Sequence, residues 1–98
     1  MAILTHTEIE TEIAYRLTLF DADPRPWDSP QLADINRVAN EIQGLRSALM
    51  ALAHFLAMLD WRPHRPGLGA YIERRQLELG AELGRKERRL RELWNGRY

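Results

Sequence analysis

Ninety-eight residues and 11.5 kDa suit one domain, residues 1–98, and are too few for two independent cores. Fourteen basic and fourteen acidic residues cancel, which excludes a protein that grips nucleic acid over its whole surface. The absence of cysteine excludes disulfides, thiol nucleophiles and thiolate zinc sites. The longest mostly apolar stretch, Ala48 to Trp61, is 14 residues and contains His54, short of the roughly 20 that cross a bilayer. No basic region followed by an apolar run opens the chain, so the expectation is a cytoplasmic protein with no membrane partner.

Charge is unevenly distributed. Residues 1–34 hold seven acids and two bases, residues 35–68 four bases and two acids, and residues 69–98 eight bases and five acids. The chain is acidic first and basic last.

Three helices follow from the pattern: about 7–20, 30–61 and 69–95. Thr7 and Glu10 have capping-box spacing at the first start, and Ile9, Ile13, Leu17 and Phe20 then share a face. Glu12 and Arg16 form an i,i+4 pair. Three prolines between Asp21 and Pro30 make that stretch a loop. Ser29 caps the second helix, with Pro30 at its first position. Ile35, Val38, Ile42, Leu45, Leu49, Leu52, Leu56 and Leu59 then repeat at alternating steps of three and four, a heptad seam. Arg62-Pro63 ends it. Gly67 or Gly69 starts the third helix, and Gly96 stops it. Ile72, Leu79, Leu83, Leu90 and Leu93 continue the seam. Folding back pairs Leu59 with Ile72, Leu52 with Leu79, Leu49 with Leu83 and Ile42 with Leu90. The fold expected is all-α: a long antiparallel helical hairpin with the shorter first helix beside it, a three-helix bundle.

The second helix departs from a single apolar stripe. Between Ser47 and Trp61 only Ser47, His54 and Asp60 are polar, whereas the first half keeps a polar back in Asn36, Arg37, Asn40, Glu41 and Gln43. A short first helix folding back from a loop beside residue 30 mainly covers that first half. Apolar surface around Met50, Phe55, Met58 and Trp61 then remains open, and such surface marks interfaces. Gly80 and Gly84 lie one turn apart in the third helix, beside Leu77 and Ala81. Each glycine costs about 1 kcal/mol against alanine there, which suggests close approach of another backbone: the first helix, or a partner's. Met50, Phe55, Met58, Trp61, Leu77, Gly80 and Gly84 are therefore the expected partner-binding set. Phe55→Asp is expected to abolish association and leave the fold.

Candidate chemistry is sparse. His6, His54 and His64 show no metal-ligand spacing, and His54 reads as a partly buried helix residue. Glu8 and Glu12 read as a solvated face, with Glu10 pointing elsewhere. Ser29 is a cap and Ser47 has no general base nearby in sequence. Small helical enzymes that work between helices need basic residues facing the core, and the second helix's seam is wholly apolar. No catalytic residue, metal site or cofactor is expected. Arg62, His64, Arg65, Arg74 and Arg75, beside Trp61 and Tyr71, form a cationic tip of a kind that holds phosphate or stacks on bases. The solvated alternative pairs Arg74 or Arg75 with Glu78. Along the third helix Glu82–Lys86 and Glu87–Arg91 are the expected ion pairs.

The expected function is a small non-catalytic protein–protein interaction module, acting by self-association, by binding a partner protein, or both. Adaptors, secretion chaperones and phage-type inhibitors of host systems are chains of this size. Nucleic-acid or nucleotide binding through the cationic tip is one alternative, and an enzyme whose site forms between subunits is another.

Overall fold

Thr5 begins the first helix by accepting a hydrogen bond on its hydroxyl from the Glu8 amide at 3.3 Å. The computed structural model describes residues 3–21, 23 and 25–95. Its helices are α1 (His6–Thr18), α2 (Pro30–Met58) and α3 (Leu68–Trp94). The expected cap at Thr7 is displaced by two residues, because Leu4 is itself held in place just before Thr5. The Leu4 amide donates to the Pro63 carbonyl at 2.9 Å, and Leu4 forms an isolated parallel bridge with His64.

Ser29 caps α2 as expected, accepting from the Leu32 amide at 3.2 Å, with Pro30 as the first helical residue. The helix ends at Met58 and not at Trp61. Its carbonyl takes the Trp61 and Arg62 amides in a closing turn, and Pro63 bars further helix by crowding Arg62 out of the helical region. Gly67 begins α3 at φ +81°, a left-handed conformation only glycine adopts without strain. The expected stop at Gly96 lies outside the described residues.

The architecture is a three-helix bundle measuring 52 × 24 × 15 Å, with α2 between its two neighbours. α2 and α3 are antiparallel along the leucine seam. Arg46 meets Glu87 at 3.0 Å and Lys86 meets Glu41. These bonds between helices replace the expected pairs Glu82–Lys86 and Glu87–Arg91, since the seam brings opposite charges of the two helices face to face.

α1 lies antiparallel to α2, but along its second half. Arg62 near the end of α2 grips Glu8 near the start of α1, and Arg16 near the end of α1 donates to the Ser47 hydroxyl at 3.1 Å. This corrects the expectation that α1 mainly covers the first half. Small residues decide the register: Gly44, Ser47, Ala48 and Ala51 are all buried on one face of α2. At Gly44 a Cβ would sit 2.7 Å from the Leu17 carbonyl oxygen, so only glycine lets α1 pass this close. Asp23, Arg25 and Asp28 of the connection then lie beside the polar first half of α2.

Two apolar clusters result. The larger joins Leu4, Ile9 and Ile13 to Leu45, Ala48, Ala51, Leu52 and Phe55 of α2 and to Leu68, Ile72 and Leu79 of α3. The smaller, at the other end, is Val38, Ile42 and Leu93 with half-buried Ile35, Leu83 and Leu90. Each fully buried leucine or isoleucine contributes on the order of 1.5–3 kcal/mol, so the larger cluster dominates stability.

Candidate protein-binding groove

Seating α1 on the second half of α2 leaves a groove between the two helices, on the side of α2 turned away from α3. It encloses about 410 Å³ and is lined by Glu8, Glu12, Arg16, Met50, Ala51, His54, Phe55 and Met58. Spacing explains the set. Glu8, Glu12 and Arg16 recur every four residues along one edge of α1, and Met50, Ala51, His54, Phe55 and Met58 occupy the facing strip of α2.

The floor is apolar and the α1 wall is ionic. Arg16 binds Glu12 at 2.7 Å, and the Arg62 guanidinium takes both oxygens of Glu8 at 2.9 Å each, a bidentate pair. Glu8 stays more exposed than its partner, 41% against 19% for the side chains, so the rim presents paired charges to solvent. His54 is exposed beside the groove and not partly buried as expected.

The expected partner-binding residues separate into three places. Met50 and Met58 line the groove; Met50 is 72% exposed and Met58 half-buried against the core. Phe55 is 7% exposed and belongs to the larger cluster, so only its margin reaches the floor. An aspartate there breaks the core, and Phe55→Asp cannot isolate association from folding. Trp61, 68% exposed, lies one turn beyond the end of α2. Leu77, Gly80 and Gly84 lie on the outer face of α3, away from the groove. A Cβ at either glycine would meet nothing within 4 Å, so neither seats α1.

The cationic tip is assembled and two of its four arginines are neutralised. Arg62 is held by Glu8, and Arg75 by Glu10 at 3.1 Å and Glu78 at 3.0 Å. Glu10 also accepts from the Tyr71 hydroxyl, and the His6 ring packs edge-on against Tyr71 at 4.4 Å. Burial, then the bond to Glu10 and its charge, push the Tyr71 phenol up to about 12. For Arg75, burial acts to lower the pKa, and the Glu78 and Glu10 carboxylates outweigh it, leaving it above its ordinary value. Arg74 stacks over the Tyr71 ring at 5.6 Å, and the His64 Nδ1 lies 2.9 Å from the Arg62 carbonyl oxygen. His64 and Arg65 are exposed. The acidic start and basic end of the chain thus meet each other: the carboxylates of α1 serve as counter-charges that fasten it to the α2–α3 turn.

Sequence reasoning missed the α1 wall of the groove, Glu8, Glu12 and Arg16. The legible signal was the small-residue stripe Gly44, Ser47, Ala48 and Ala51, which marks where a helix must come close. A second hollow, about 510 Å³ at the far end, is lined by Asp23, Arg25 and Asp28 and by Ala33, Asn36, Arg37, Ala39 and Asn40 of α2, and the Asn36 amide donates to the Asp28 carboxylate at 3.5 Å. Among the described residues no three His, Asp or Glu side chains converge to hold a metal, and no helix is long and apolar enough to cross a membrane. Comparison with protein-family models, with curated proteins and with solved structures finds no match, so the functional argument rests on this geometry.

Proposed function

We propose that this chain is a non-catalytic protein-interaction module that receives a protein partner on the outer face of the second half of α2. One observation carries the reading. Met50 stays 72% exposed on a helix whose other faces are closed by α1 and α3, Trp61 is 68% exposed just beyond its end, and the groove next to Met50 is floored by Met58, Ala51 and Phe55. A monomer gains nothing from holding large apolar side chains in water there, whereas a partner helix gains contact area and an adaptable methionine surface.

Site-specific photocrosslinking tests it. A photoreactive amino acid at Met50 is compared with one at Thr11, which is exposed on α1. Discrete protein adducts from position 50 and none from position 11 are the expected result. Equal adducts at both positions, or none at position 50, contradict the reading. The carboxylate ties at Arg62 and Arg75 give the anion-binding alternative no comparable support.

A further inference from the structure

We infer that α1 and the Leu4 arm form a flap, which undocks and unfolds as one unit while the α2–α3 hairpin stays folded. The two parts are held by contacts of different length and kind. α1 has 13 residues, and an isolated helix that short is marginal in water, so leaving α2 costs it its helix. Its apolar grip is buried Ile9 and Ile13, with half-buried Leu17 at the far end and buried Leu4 ahead of Thr5. It adds nothing to the smaller cluster.

The hairpin has a longer hold of its own. Its helices, 29 and 27 residues long, meet through both clusters, from Leu68 and Ile72 by the turn to Val38, Ile42 and Leu93 at the other end. Arg46–Glu87 and Lys86–Glu41 cross the same seam, and α1 takes part in neither. The ties that fasten α1 are, by contrast, polar and close to water. Glu8 and Glu10 bond to Arg62 and Arg75, and in both pairs the carboxylate is the more exposed member. Such pairs stabilise little. Elements with few apolar contacts open at free energies below that of global unfolding.

Opening changes the surface in two ways. The groove loses its α1 wall of Glu8, Glu12 and Arg16, so it exists only while α1 is docked. The small-residue stripe Gly44, Ser47, Ala48 and Ala51 is bared, and Phe55 beside it. The docked form remains the major one, and a flap of this kind opens in the lone chain, with or without a partner in the groove.

Native-state amide exchange of the full chain, read residue by residue at rising sub-denaturing urea, decides this. The α1 amides should exchange through an opening at least about tenfold more populated than the one that frees the Leu52 and Leu79 amides. Their urea dependence should also be shallower, because the opening exposes less surface than global unfolding does. Leu90→Ala, in the cluster to which α1 contributes no side chain, supplies the second readout. It should speed exchange at Leu52 and Leu79 by about 5–30-fold and leave α1 unchanged. Protection and urea slope at α1 equal to those at Leu52 and Leu79 overturn the inference. So does a Leu90→Ala variant in which α1 speeds up as much as the seam, since the bundle is then one cooperative unit. If that variant does not fold, the wild-type protections and slopes decide alone.

Discussion

The two halves of α2 are built on one leucine seam and live in different surroundings. From Gly44 to Met58 the helix is closed by α3 on one side and α1 on another, and its buried residues include alanine, serine and glycine. From Pro30 to Gln43 its apolar face packs on α3 and its polar back meets residues of the α1–α2 connection such as Asp28, and Val38 and Ile42 are its only buried side chains. The difference teaches that the seam sets the hairpin, and that residue size on the neighbouring face sets where the third helix sits. Large apolar residues left over on the remaining face, Met50 above all, then report a surface with a use outside the monomer.

The largest expected effect compares the two cores. Leu52→Ala, in the fully buried centre of the three-helix half, should cost about 2–5 kcal/mol. Leu90→Ala, half-buried in the two-helix half, should cost about 1–2 kcal/mol. Urea denaturation of both variants measures the gap, and equal losses would erase the distinction between the halves.

Glycines sharpen it further, because alanine should act with opposite sign in the two settings. At Gly44 an added methyl strikes the backbone of α1, so Gly44→Ala should destabilise by about 1–3 kcal/mol despite its better helix propensity. At Gly80 the methyl meets open space, and Gly80→Ala should stabilise by about 0.5–1 kcal/mol. Thermal melts that move in the same direction for both would show that α1 does not press on Gly44.

Smaller effects report the polar fastening of α1. Arg62→Ala should cost about 1 kcal/mol, since the bidentate pair is partly exposed and its other member reaches water. Faster amide exchange should then be confined to α1 and the Leu4 arm. Tyr71 supplies the least. Its folded state favours the neutral phenol, so the stabilisation is whole below pH about 10 and is lost as the pH rises toward about 12. Absorbance titration should show a late-ionising tyrosine that disappears in Tyr71→Phe.

The hairpin was legible because heptads, a Ser-Pro start and an Arg-Pro stop are local signals that agree with one another. The docking site of α1 was not read, because its cues are long-range. Gly44 looks like a weak helix residue until Leu17 is placed over it, and Glu8 looks solvated until the turn delivers Arg62. Trp61 and Met50 were legible as surplus apolar surface, whereas Phe55 was misassigned. With α1 placed over the first half of α2, nothing remained to bury Phe55; with α1 along the second half, Phe55 joins the core and Met50 stays outside it.

The most direct test of α1 seated on the second half of α2, with Met50 and Trp61 left outside, is hydroxyl-radical footprinting of the dilute protein, each residue normalised to its rate in the unfolded chain. Met50 and Trp61 should retain most of their unfolded reactivity, and Phe55 and Ile13 should be strongly protected. Reactivity at Phe55 and Ile13 matching that at Trp61 would mean that α1 does not cover this half of α2, and the groove would go with it.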